Sequence, residues 1–209
     1  MLNLLIILFA ITLFYFSVSE RFRTYSMLIA VQGVLLFGMS FLELAEVHLV
    51  NFIFIAAETL LFKAIIVPVL LYRIINRTGV YKVHSKAFPA FYILIFTMIG
   101  LLVSIVLSNL LYTPRIDSVY MTIALFTLFT GIILIITHKR IFSHMIGFLV
   151  IENAVFMFSM AVGAEMTMLI NIGILLDIFV SVLIIGVMIN RIGVQYNDLE
   201  AENLTRLKH

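Results

Sequence analysis

Along the chain, apolar residues gather into seven long runs, each closed by charged or turn-forming residues. The runs cover roughly 2–19, 25–42, 50–72, 89–111, 119–137, 141–163 and 168–190, and a polar tail, 191–209, follows. Runs of about 17–23 residues are far longer than ordinary strands, whose length centres on about 5–6 residues. They match the roughly 20 residues that an α-helix needs to cross a bilayer. A membrane β-barrel would show alternating segments of about ten residues, and none is visible. The pattern predicts an all-α integral membrane protein, a bundle of about seven transmembrane helices.

Composition sharpens this picture. Of the 209 residues, 64% are hydrophobic and 11% are charged, and the mean hydropathy is +1.21. Soluble domains run at about 45–50% apolar and about 25% charged. An ordinary soluble enzyme, a disordered chain and a nucleic-acid binder are therefore excluded. The chain has no cysteine, which excludes disulfides and Cys-ligated metal or iron–sulfur sites within it. It has no Trp either, so its interfacial belt must rest on Tyr. The first run is expected to be a retained span rather than a signal peptide. No positive charge precedes it, and Arg21 and Arg23 follow it, the reverse of a secretory signal.

The basic residues fall in alternate loops. Arg21, Arg23, Arg73, Arg77, Lys82, Lys86, Lys139, Arg140, Arg191, Arg206 and Lys208 lie on one side, and Arg115 alone lies on the other. The positive-inside rule then predicts an outside N-terminus and a cytoplasmic C-terminus. There is also an internal echo. Ile75-Asn76-Arg77-Thr78-Gly79-Val80 closes the third run, and Ile189-Asn190-Arg191-Ile192-Gly193-Val194 closes the seventh. This suggests a parallel 3+1+3 arrangement within a transmembrane domain 1–190, with repeats 1–80 and 119–194 joined by a connector helix 89–111. Sliding the second run onto the sixth sets Gln32-Gly33 beside Glu152-Asn153. In the cytoplasmic tail 191–209, Asn197 and Glu200 are spaced like a capping box.

Four ionisable residues sit near the middle of their runs: Glu58, Lys63, Glu152 and Asp177. Each costs about 2.5–3.5 kcal/mol to insert, which a long apolar helix offsets. Ionisable groups at that depth typically mark ion paths or proton relays, although polar residues also hold membrane helices together. These four are the candidate path. On an α-helix, Glu58 and Lys63 would stand about 140° apart and would need partners on other helices. Pro68 should kink or break the third helix and free the carbonyl of Ala64. His144 lies within about 80° of the face that carries Glu152, two turns nearer the cytoplasm, where it could pass protons inward. Asn153 and Asn171 are candidate hydrogen-bond supports. His48, His84 and His138 are read as loop residues without metal-ligand spacing. No phosphate loop, dinucleotide fingerprint or nucleophile elbow appears.

The segment Gly147-Phe148-Leu149-Val150-Ile151-Glu152-Asn153-Ala154 resembles the second-helix motif of the K subunit of bacterial complex I, whose glutamate comes a few residues earlier. Asp177 falls where that family's third helix carries its second acid, and Asn190-Arg191 is similar to that helix's basic end. The C subunit of Mrp-type antiporters shares this module. With its seven runs, its Glu58, Lys63 and Pro68 helix and no soluble domain, the chain most resembles the hydrogenase-4 component E family. That family supplies membrane subunits of formate hydrogenlyase and related group 4 nickel–iron (NiFe) hydrogenases. The resemblance implies a non-catalytic, multi-pass subunit of the plasma (inner) membrane that binds no cofactor itself. Its expected partners are antiporter-like membrane subunits and a redox module carrying iron–sulfur clusters and a NiFe centre. A subunit of an Mrp-type cation/proton antiporter, a purely structural membrane scaffold and a stand-alone transporter are the alternatives.

Overall fold

The computed structural model describes residues 1–19, 21–43, 53, 56–78, 89–138 and 141–162. The chain divides into two units, Met1–Ile174 and Leu175–His209, and every described residue belongs to the first. Among the described residues there is no strand, and six helices follow one another. α1 is Leu2–Val18 and α2 is Phe22–Glu43. α3 is a π-helical segment, Ala57–Ile66, continued by an α-helix, Val67–Thr78. α4 is Ala90–Leu110, α5 is Ser118–Thr137 and α6 is Ile141–Val162. Within α2, α4, α5 and α6 are four helices long and apolar enough to cross a membrane, and α1 is a shorter apolar helix. The chain is a helical membrane protein. The seventh expected span, 168–190, and the tail lie outside the described residues.

Local chemistry sets the ends of these helices. α1 stops where Ser19 turns extended, its N–H still bonded to the carbonyl of Tyr15. Pro89, with φ −55°, opens α4, a position where a missing N–H costs little. Asp117 caps α5, accepting from the backbone N–H groups of Val119 at 2.8 Å and Tyr120 at 3.1 Å. Its own N–H donates to the carbonyl of Ala161 at 2.9 Å, which ties the start of α5 to the end of α6. α3 differs from expectation, since it runs to Thr78 rather than ending near 72. The exposed Arg73 does not stop the helix, because a long basic side chain can reach out of an apolar layer.

Small residues and hydroxyls set the packing, as expected where lipid offers no hydrophobic drive between helices. α5 and α6 cross at two glycines. A Cβ on Gly131 would stand 2.7 Å from the carbonyl oxygen of Gly147, and one on Gly147 would stand 2.8 Å from that of Gly131. α4 buries only a narrow stripe, Ile93, Thr97, Gly100, Ser104 and Ser108. Its other faces present large apolar side chains such as Phe91, Leu102 and Val106, suited to lipid. Ser17 on α1 and Thr97 on α4 share a hydrogen bond of 2.6 Å. α2 is central, packing on α1, α3 and α6.

Candidate functional site

The site forms where α3 and α6 meet the centre of α2. Gly33 lets α3 come close: a Cβ there would be 2.7 Å from the backbone nitrogen of Ala64 and 2.8 Å from the carbonyl carbon of Lys63. Two turns earlier on α2, Ser26 donates to the carbonyl of Pro68 at 2.9 Å. The proline explains the irregular helix in front of it. Its ring clashes with the carbonyl four residues back and it has no N–H to donate. The turns before it widen to i→i+5 bonding, and the N–H of Val67 reaches the carbonyl of Phe62. The expected kink is thus taken up as a π segment, a form frequent at functional sites. It also corrects one geometric expectation. Positions 58 and 63 are one i→i+5 step apart on this backbone, which sets them closer to one face than the roughly 140° of a regular α-helix.

Lys63 and Glu152 are each only 5% exposed. The Lys63 ammonium lies over the ring of Phe156, 5.1 Å from its centroid. Phe156 is one helical turn after Glu152, so the two share a face of α6. The lysine therefore reaches the same seam that carries the glutamate. Cation–π contacts of this kind are worth about 2 kcal/mol or more once desolvated, which helps to keep a charge at this depth.

Beside that pair runs a chain of neutral donors and acceptors. Asn153 Nδ2 donates to Gln32 Oε1 at 2.9 Å. Gln32 Nε2 donates to Thr12 Oγ1 at 2.9 Å, and Thr12 donates to the carbonyl of Phe9 at 2.6 Å. All three side chains are buried, Gln32 completely. Three helices, α6, α2 and α1, are thereby linked at the level of Glu152, with every bond pointing the same way. Asn153, a candidate hydrogen-bond support, spends its donor on Gln32. Gln32 and Thr12 were not among the expected site residues. The available signal was a glutamine next to a glycine inside an otherwise apolar run.

The structure thus brings together Lys63, Glu152 and Asn153, with Pro68 setting the backbone beside them. Glu58 lies on the π segment. Asp177 and Asn171 lie outside the described residues, as do His48 and His84. His144 is held elsewhere: it is half-buried, and its Nε2–H donates to the carbonyl of His138 at 2.6 Å. That ties it to the α5–α6 turn, about 12 Å along the helix from Glu152. His138 was expected in a loop, but it is buried directly after α5. Its Nδ1 lies 3.0 Å from the carbonyl of Leu134 and its Nε2 3.4 Å from the hydroxyl of Tyr25. The Tyr25 hydroxyl donates to the carbonyl of Ser19 at 3.1 Å. Phe16, Phe22 and Phe142 complete an aromatic cluster around this joint.

No protein-family model, curated protein or solved structure matches the chain.

Proposed function

We propose that the chain is a non-catalytic membrane-arm subunit of a complex-I-like respiratory or hydrogenase complex, in which its buried charges form one link of a proton or ion path. The reading includes seven spans in a 3+1+3 arrangement in the plasma membrane, with the N-terminus outside and the C-terminus in the cytoplasm. Redox centres, iron–sulfur clusters and a nickel–iron centre among them, would sit in partner subunits. The resemblance to hydrogenase-4 component E suggests the family, and the internal geometry supports the role. The observation that carries it is the burial of Lys63 and Glu152 in one seam between apolar helices, with an amide chain beside them. Lipid packing alone favours no such residues. In this reading Glu152 takes up and releases a proton as the complex cycles. Lys63 supplies a nearby positive charge, and the π segment carries that charge on a backbone that is not a regular helix.

The test is Glu152→Gln in the assembled complex. Glutamine keeps the size and hydrogen bonding of glutamate but cannot titrate. Assembly on a native gel and redox turnover with artificial acceptors should be retained, and proton translocation in sealed vesicles should be largely lost. Full translocation by this variant would make Glu152 a structural group and remove the basis of the reading. Mass spectrometry of the partners retained in mild detergent separates the classes. Redox subunits fit the proposal, antiporter subunits alone fit an Mrp-type assembly, and a stable monomer fits a stand-alone transporter.

A further inference from the structure

Where α2 and α6 touch, they touch in register. Phe22 and Phe142 meet edge to face at the start of the two helices, with centroids 4.5 Å apart. Gln32 and Asn153 are hydrogen-bonded at the centre. Ser40 donates to Met160 Sδ near the other end, at 3.9 Å. The partners are separated by 120 positions in the outer two pairs and 121 in the central one. The helices are therefore parallel and unstaggered. Any two parallel neighbours have some constant offset. Here that offset sets Gln32 of α2 across the seam from Glu152 and Asn153 of α6, and Gln32 bonds Asn153 directly. The α2–α6 seam thus holds position 32 and position 152 at one level between two parallel helices.

We propose that Gln32 is the neutral counterpart of Glu152, so that the seam is a two-sided proton position with its carboxylate supplied from one side only. This rests on the reading of Glu152 as a proton carrier. The two side chains have the same length and shape; they differ in titration and in the amide N–H that Gln32 donates to Thr12. Two carboxylates facing each other across the seam could not both ionise readily, and an amide on one side removes that conflict. The amide also extends the polar chain to Thr12 on α1. The charged positions on the helices packed around Gln32 are Glu58, Lys63, Arg73 and Arg77 on α3 and Glu152 on α6; α1 carries no charged residue, and α2 itself carries Arg23 and Glu43 near its ends. The half-buried His144 of α6 is bound at the turn.

The experiment compares Glu152→Gln, Gln32→Glu and the swap carrying both changes, each in the whole complex. Proton translocation is measured in sealed vesicles. Dicyclohexylcarbodiimide, which modifies protonated carboxyl groups in apolar surroundings, is mapped by mass spectrometry across pH. The swap should be labelled at position 32, with a midpoint within about one pH unit of that of Glu152, the spread common for one residue type in folded proteins. It should also regain most of the translocation that Glu152→Gln loses. Gln32→Glu alone should titrate in two separated steps, as a coupled pair does. A swap that assembles but is neither labelled at position 32 nor active would overturn the proposal. If the swap does not assemble, Gln32→Glu decides: two coupled steps uphold the counterpart, and one unchanged step removes it. If Glu152→Gln translocates normally, the proton-carrier reading fails, and labelling alone then decides whether position 32 matches position 152.

Discussion

Gly33→Ala probes the contact that places Lys63. The three atoms nearest the added methyl would all be backbone: Ala64 N at 2.7 Å, Lys63 C at 2.8 Å and Ala64 Cα at 2.9 Å. Ordinary contact begins at 3.4 Å, so α2 and α3 must part by about 0.7 Å there. Forcing extra volume into a packed site costs about 1–3 kcal/mol, while alanine returns up to about 1 kcal/mol of helix propensity. Gly38 on the same helix is the control. A Cβ there meets Leu5 Cδ1 at 3.3 Å, the end of a flexible side chain, so Gly38→Ala should keep the propensity gain. The two variants should therefore differ by about 1–3 kcal/mol. At about 2–4 °C per kcal/mol for a chain of this size, that is a gap of roughly 2–12 °C in melting midpoint. The assay is thermal unfolding of the complex in one detergent, followed by translocation in vesicles. Gly33→Ala should lose translocation as well as stability, because Lys63 is carried off the α6 face; Gly38→Ala should keep both. Equal midpoints and equal translocation for the two variants would refute the close approach and its role in placing the lysine.

Lys63→Met should leave assembly nearly unchanged, because a thioether also packs well on the Phe156 ring, but it should damage translocation; Lys63→Arg should rescue only part of it, since guanidinium does not release its proton. Normal translocation by Lys63→Met would make the lysine a packing residue. Asn153→Leu removes the donor to Gln32 and should lower the thermal midpoint by the equivalent of about 0.6 kcal/mol, the average for interhelical hydrogen bonds in membranes, and at most about 2 kcal/mol, and an unchanged midpoint would show the bond to be idle. Single cysteines at 46 or 165 should react with an impermeant thiol reagent from outside, and those at 82 or 206 from the cytoplasm; the reverse pattern would overturn the orientation drawn from the basic residues.

Sequence pattern located the helices well where lipid-facing length alone decides them. α1, α4, α5 and α6 end within a residue or so of their apolar runs. α3 outruns its apolar run because an arginine ends the apolar pattern without ending the helix, which continues through Arg73 to Thr78. The depth of Lys63 and Glu152 was legible, since a charge inside an apolar run must be buried or paired. Their common seam was not, because no periodicity within one helix reports which helix lies opposite. Pro68 announced a disturbance but not its form. A kink and a run of i→i+5 turns relieve the same clash, and tertiary contacts such as Gly33 and Ser26 select between them. His138 was missed for a related reason: a histidine one residue beyond a helix reads as a loop residue until its ring is seen against Tyr25.

The same few residues both build the bundle and equip the site, and that constrains how function can be tested here. In water, apolar burial would hold these helices together and the polar groups could be removed with modest effect. In lipid, the tails are as apolar as leucine, so close backbone approach and interhelical hydrogen bonds select the arrangement. Gly33, Ser26 and Gln32 lie on one helix and satisfy α3 and α6 at once. Deleting any of them changes helix placement and site chemistry together. Substitutions that keep shape while changing titration reduce this confusion: Glu152→Gln is of that kind, and Gln32→Glu is too while its carboxyl is protonated, with one O–H to give Thr12 in place of the amide N–H. If both variants assemble and only translocation and labelling change, the carboxylate at the seam acts through its proton. If assembly changes as well, the charge itself is part of what holds α2 against α6, and the seam is built around a group whose ionisation the bundle cannot do without.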